Sequence, residues 1–205
     1  MSYKIIYKHY EKCLDKYGDS HLGVDWPNKE DVYKRFDMML SVIKDKNTKF
    51  SLLDFGCGCG HLLEYIEENK LNIEYSGLDI STKFYECCKN KFPNHKFYNL
   101  DILNDNIESI PNFDYIILNG VFTEKRELDD EQMFDFFSNI LKTLFKKVNI
   151  GIAFNIMCPI VDFKRDELFY LSYDKLGLFL KNNLSRHYII NNHYKLWEYT
   201  TYVYK

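Results

Sequence analysis

Five short apolar runs, FSLLDF (50–55), IEYSGLDI (73–80), HKFYNLDI (95–102), FDYIILNGV (113–121) and VNIGIAFNIM (148–157), recur with room for a helix between most neighbours. They are rich in β-branched and aromatic residues, the composition of strands. The stretches between them change period. In DDEQMFDFFSNILKTLFKK, Met133, Phe136, Phe137, Ile140, Leu141 and Leu144 fall on one helical face, with acids in the first turn and lysines in the last, so both ends complement the helix dipole. Strands alternating with amphipathic helices predict βαβ units and a mostly parallel sheet. After the fifth run, SYDKLGLFLKNNL predicts another helix. SRHYIIN and LWEYTTYVYK then predict an antiparallel hairpin with a polar tip at Asn192 to Lys195. Two helices are expected before the first strand. The second is introduced by DWPNKED, where Pro27 suits a helix entrance, Asn28 can cap together with Asp31, and Val32, Phe36, Met39 and Ile43 repeat at helical spacing.

No repeat, low-complexity tract or linker interrupts this order. One domain over residues 1–205 is therefore expected, with a helical cover over 1–48 and an α/β core over 49–205. A chain of 205 residues with 46% hydrophobic content can remove roughly 70% of its unfolded surface from water. The formal charge of −3 gives no electrostatic reason to bind nucleic acid, whose affinity rests on many Lys and Arg contacts to phosphates. No apolar run approaches the ~20 residues of a membrane span, and MSYKIIYKHYEK lacks the apolar segment of a signal peptide. The expectation is a cytoplasmic protein with a small-molecule partner; nothing in the sequence bears on its oligomeric state. Six scattered cysteines then read as reduced thiols.

The chemistry concentrates in LLDFGCGCGHLLEYI (52–66). Cys57 and Cys59 form a C-x-C pair, but no second pair follows at zinc-like spacing, so no metal is expected there. Gly56, Gly58 and Gly60 stand between a strand and a helix. Such an arrangement brings backbone amides against a nucleotide-like ligand, because no Cβ blocks the approach. The spacing is G-x-G-x-G rather than the dinucleotide G-x-G-x-x-G, and Asp54 ends the strand before it. An acid at that position would repel a pyrophosphate and can accept a charge-assisted hydrogen bond from an ammonium group. A nicotinamide oxidoreductase shares this fold logic but needs the other spacing. A non-catalytic binding module with the same loop is a further alternative.

This stretch resembles motif I of the class I S-adenosylmethionine-dependent methyltransferases, and the resemblance extends over roughly residues 50 to 204. It implies a Rossmann-like seven-stranded sheet of order 3-2-1-4-5-7-6, with strand 7 antiparallel and helices on both faces. It also implies S-adenosyl-L-methionine as cofactor, held around Asp54, Gly56, Cys57, Gly58 and Gly60. Asp79 would take the ribose hydroxyls. Asp101 would lie near the adenine amino group with Ile80 and Ile102 beside the ring, and Asn119 and Gly120 beside the methionine portion. The segment NGVF (119–122) is not the N/D-P-P-Y motif common in enzymes that methylate adenine, cytosine or glutamine nitrogens, which disfavours those substrates.

The turn between strands six and seven projects from the cofactor edge in this fold. His193 is therefore the candidate catalytic base, with Tyr194 beside it and Trp26, Phe122 and Tyr170 as candidate substrate-pocket aromatics. VDFKRDELFYLSYDKL and NHYKLWEYTTYVYK further resemble a subgroup of small bacterial methyltransferases associated with surface-polysaccharide biosynthesis. That subgroup's ending is approximately H-D-Y-x-L-x-E-[FY]-T, and here the aspartate is missing because Tyr194 directly follows His193. The implied reaction is O-methylation of a sugar, nucleotide-sugar or phosphoramidate precursor.

Overall fold

Each of the five runs becomes a strand: β1 Phe50–Phe55, β2 Ile73–Asp79, β3 Lys96–Asn99, β4 Phe113–Leu118 and β5 Val148–Met157. The structure is a computed structural model that describes residues 3–45 and 48–205, so residues 1, 2, 46 and 47 of the expected cover lie outside it. The hairpin supplies β6 His187–Asn191 and β7 Glu198–Tyr204. Together they form one seven-stranded sheet of order β3-β2-β1-β4-β5-β7-β6. β1 to β5 pair in parallel, whereas β7 runs antiparallel to both β5 and β6. Fold class and strand order are those the resemblance implies.

The helices are α1 Lys4–Tyr17, α2 Lys29–Leu40, α3 His61–Glu68, α4 Thr82–Lys91, α5 Asp130–Phe145 and α6 Tyr173–Asn183, with a 3-10 turn at Leu22–Val24. Successive strand side chains point to opposite faces. Leu53, Ile116, Leu118 and Phe154 accordingly pack with Met133 and Phe137 of α5 and Leu176 of α6. Leu52, Tyr115, Ile117 and Ala153 pack with Phe36 and Met39 of α2 and Leu62 and Ile66 of α3. Both faces of the sheet are covered, which is why the central strands read as unbroken apolar runs.

Local signals place the ends of these elements. α5 opens with a capping box, in which Asp129 Oδ1 accepts from Gln132 N at 2.8 Å and Gln132 Oε1 from Asp129 N at 3.2 Å. At α2 Asn28 is the N-cap, as the pattern implies, with Pro27 just before it; its side chain accepts from Glu30 N at 2.9 Å, two residues on rather than three. β7 begins at Glu198, later than the apolar pattern implies, and leaves Trp197 on the turn with 63% exposure. The last strand also fastens α2 and the segment after it, because Tyr202 Oη donates to Met38 O at 2.7 Å and Tyr204 Oη to Val42 O at 3.1 Å.

Candidate active site

The carboxyl ends of β1, β2 and β4 converge on one cleft that encloses about 1110 Å³ of empty space, its open mouth included. β1 delivers Asp54 and the glycine loop. Gly56 N donates to Leu78 O at 2.7 Å, which stitches the loop to the end of β2. Gly58 has φ +56°, a conformation glycine adopts without strain, and its N–H donates to Asp79 Oδ2 at 3.0 Å. The other Asp79 oxygen accepts from Ser81 N at 2.9 Å. On the far side, Gly120 has φ +79°, and a Cβ there would lie 3.2 Å from the Trp26 ring.

Two of the carboxyls are strongly perturbed. Asp54 is 4% exposed and accepts from Tyr75 Oη at 2.8 Å. Burial pushes it up to about 7, against the Tyr75 hydrogen bond, and the nearby Asp79 charge adds to the rise. Asp79 is pushed up to about 6, again by burial, which its two backbone N–H donors oppose and the Glu11 charge reinforces. A buried carboxylate without a cation beside it is costly, so the arrangement suits a ligand that brings a positive group. Asn119 Oδ1 is likewise buried without a hydrogen-bond partner. Asp79 retains lone pairs beyond the two it uses, because a carboxylate offers about four acceptor sites.

α1 and its N-cap Tyr3 roof the cleft, where Tyr3, Tyr7 and Tyr10 line it together with Val24, Trp26 and His61. Tyr3 Oη donates to Asp101 Oδ2 at 2.6 Å, and Asn104 Nδ2 donates to the same oxygen at 2.8 Å. Ser81 Oγ donates to Glu11 Oε1 at 2.5 Å, and Lys83 pairs with Asp15 at 2.6 Å. His61 faces Asp19 through Nε2 at 2.8 Å. A second network stands behind Gly120. Glu198, 2% exposed, accepts two bonds from Arg35 Nε and Nη2 at 3.0 and 2.8 Å, and one from Asn155 Nδ2 at 2.9 Å. Asn155 Oδ1 in turn accepts from Gly120 N at 2.8 Å, and the Arg35 guanidinium lies 5.1 Å from the Trp26 ring.

Of the residues singled out from sequence, Asp54, Gly56, Cys57, Gly58, Asp79, Ile80, Asp101, Ile102, Asn119, Gly120 and Trp26 line this cleft. Five others are not among its lining residues. Gly60 caps α3 from beneath, where a Cβ would meet the Phe92 ring at 2.9 Å. Phe122 is fully buried against Phe137, with ring centroids 4.9 Å apart, because the segment after β4 turns it into the core. Tyr170 accepts from Arg165 N at 3.1 Å under the Lys164 ammonium. Tyr194 packs inward, its Oη 2.9 Å from Thr200 Oγ1. His193 stands at the expected edge of the sheet but is exposed on the turn, its N–H bonded to Asn191 Oδ1 at 2.9 Å. The α1 tyrosines and His61 received no site role from sequence; aromatics at helical spacing carry the same signal as an ordinary core face.

A sequence profile of the methyltransferase-domain family matches residues 53–144, the span from the end of β1 through α5. A Mycobacterium tuberculosis protein whose assignment as a methyltransferase is itself provisional is 27% identical over 159 residues, covering 76% of this chain and 93% of the relative. The fold recurs in magnesium protoporphyrin IX methyltransferase from Synechocystis solved with S-adenosylmethionine, with a TM-score of 0.65 and 14% identity over 100% of this chain and 98% of that one. It recurs also in an S-adenosylmethionine-dependent methyltransferase from Clostridium acetobutylicum, with a TM-score of 0.59 and 15% identity over 98% of each chain. A plantazolicin methyltransferase bound to a substrate analogue matches with a TM-score of 0.61 and 16% identity, covering 98% of this chain and 97% of the other. The profile match, the sheet order and the glycine loop are all similar to those of methyltransferases. No described helix is long and apolar enough to cross a membrane.

Proposed function

We propose that the chain binds S-adenosyl-L-methionine in the β1–β2–β4 cleft and methylates a small molecule. The observation that carries this reading is Asp54, a buried carboxyl at the glycine loop with no cation beside it among the described residues. When bound, the cofactor supplies a methyl group activated by a sulfonium. The chain's own residues then have distinct tasks. Asp54 and Asn119 face the amino-acid portion, Asp79 accepts from the ribose hydroxyls, and Ile80 and Ile102 flank the adenine beside Asp101. Tyr10 and Trp26 wall the cleft with aromatic faces, which attract a cation. α1 excludes water from the same space. Positioning of this kind is the main requirement of an in-line displacement.

For the acceptor, the narrower reading is a hydroxyl on a sugar precursor of a surface polysaccharide, and it rests on the C-terminal resemblance. The cleft adds one discrimination. Among the described residues its lining includes Asp54, Asp79 and Asp101 but no Lys or Arg, which favours an uncharged sugar over a nucleotide-sugar or phosphoramidate. Calorimetry with S-adenosylhomocysteine tests the cofactor. Binding at up to millimolar ligand is expected, with none for NAD; the reverse pattern would sink the proposal. Methyl-transfer assays against neutral and phosphorylated sugars, read by mass spectrometry, test the acceptor.

A further inference from the structure

Two groups of metal-type donors occur among the described residues. One joins Asp19 to Cys59 and Cys87. Asp19 there already accepts from Lys91 Nζ at 2.6 Å, and an ammonium at that distance repels a cation. The other joins His9, Cys13 and Asp25, whose donor atoms all lie within 4.8 Å of one another. We infer that His9, Cys13 and Asp25 form a binding site for a divalent metal of the zinc class, outside the cofactor cleft and independent of the methyl-transfer reading.

The donors come from two elements brought together by the fold. His9 and Cys13 are four residues apart on α1, hence on one face. Asp25 follows the 3-10 turn with φ +58°, which presents its carboxylate to that face. A single atom, His9 Nε2, faces both other donors, with Asp25 Oδ2 at 2.7 Å and Cys13 Sγ at 3.7 Å. One ring nitrogen carries at most one proton, so it cannot donate fully to both. A cation placed among the three satisfies them at once. With zinc–nitrogen bonds of about 2.0–2.1 Å and zinc–sulfur of about 2.3 Å in a tetrahedron, the nitrogen and sulfur stand roughly 3.6 Å apart, close to their present separation. In the same tetrahedron a carboxylate oxygen stands roughly 3.4 Å from the nitrogen, so Asp25 Oδ2 has to withdraw from His9 by more than half an ångström from its present 2.7 Å.

One nitrogen, one sulfur and one oxygen donor match zinc or cobalt(II) rather than calcium or magnesium, which take oxygen ligands. The surroundings are mixed in charge. Glu124, 8% exposed, adds a carboxylate near Asp25 and His9, while Arg126 and Lys16 face Cys13 as cations. A thiol ligates a metal as the thiolate, so binding at Cys13 displaces its proton. Three donors leave the fourth position to solvent, consistent with side-chain exposures of 22% for His9 and 41% for Asp25. The sequence neighbours Tyr10 and Trp26 both line the cleft, so a bound metal would tie two wall residues to one point.

The test uses the full-length, reduced, chelator-treated protein and cobalt(II) chloride, followed by zinc chloride as competitor. One equivalent of cobalt is expected to give a thiolate-to-metal charge-transfer absorption that zinc abolishes. Cys13→Ser should lose this absorption and His9→Gln should weaken cobalt binding at least tenfold, while Cys59→Ser and Cys87→Ser retain both. Far-UV circular dichroism checks that each variant is folded. Absence of the absorption in the parent, or its survival in Cys13→Ser, overturns the assignment. Its loss in Cys59→Ser instead moves the site to the other cluster and likewise overturns it.

Discussion

Replacing Asp54 by Asn should make the empty protein more stable and the enzyme worse. Asparagine keeps an acceptor for Tyr75 Oη, so the local hydrogen bond survives. What disappears is a carboxyl that titrates near 7 when folded against an ordinary 3.8. At 1.36 kcal/mol per pH unit, that difference costs the folded state on the order of 4 kcal/mol once both forms are ionised. The sign follows from proton binding. The folded chain holds the Asp54 proton more tightly than the unfolded one, so the group leaves stability untouched below about pH 4. It then costs progressively more between about 4 and 7, and the cost levels off above 7. Asp79, pushed up to about 6, contributes in the same direction and remains in the variant. The assay is urea unfolding of parent and Asp54→Asn without ligand at pH 5 and pH 8. The stability gain of the variant should be a few kcal/mol larger at pH 8 than at pH 5. Affinity for S-adenosylhomocysteine should fall at least tenfold, because the ammonium loses its charged partner. A gain independent of pH, or cofactor affinity unchanged in the variant, would refute the account of this site.

Arg35→Ala strands the buried Glu198 carboxylate and should cost about 3–5 kcal/mol in urea unfolding; adding Glu198→Gln to it should recover part of that loss. Phe122→Ala should cost about 3–5 kcal/mol by opening the aromatic core around Phe137, with the Michaelis constant for acceptor changed no more than for cofactor. His193→Ala should leave turnover within about twofold and cofactor affinity unchanged. A loss of the ~10² to 10⁴-fold typical of a missing general base would instead return His193 to the chemistry.

The strands were legible because the sheet is buried on both faces, so apolar runs end where the chain leaves the core; β1 and β4 have the starts that the pattern implies. The floor of the cleft was legible for a related reason. Asp54, Asp79 and Gly120 sit at strand ends, where topology alone fixes their position. Side-chain direction outside regular elements was not legible. The turn bearing His193 was placed on the correct edge, yet nothing periodic says which way its ring points. Phe122 follows β4 as a pocket residue would, but the next turn buries it. Partners far apart in sequence were also invisible: Tyr3 reaches Asp101 across 98 positions and Arg35 reaches Glu198 across 163. The His9–Cys13–Asp25 cluster escaped because its third donor depends on the backbone angle of Asp25.

The first helix is fastened to the same places that would greet a ligand. Tyr3 occupies lone pairs of Asp101, and Glu11 takes the hydroxyl next to Asp79. On the proposed reading, recognition and closure thus meet at Asp101, while the Ser81 hydroxyl donates to the roof beside Asp79. If the adenine lies at Asp101 as proposed, a ligand that fills the cleft must share that carboxylate with Tyr3 or displace it, which couples the grip on the cofactor to the pace of its exchange. On that reading, a change made at Asp101 to alter one is expected to alter the other.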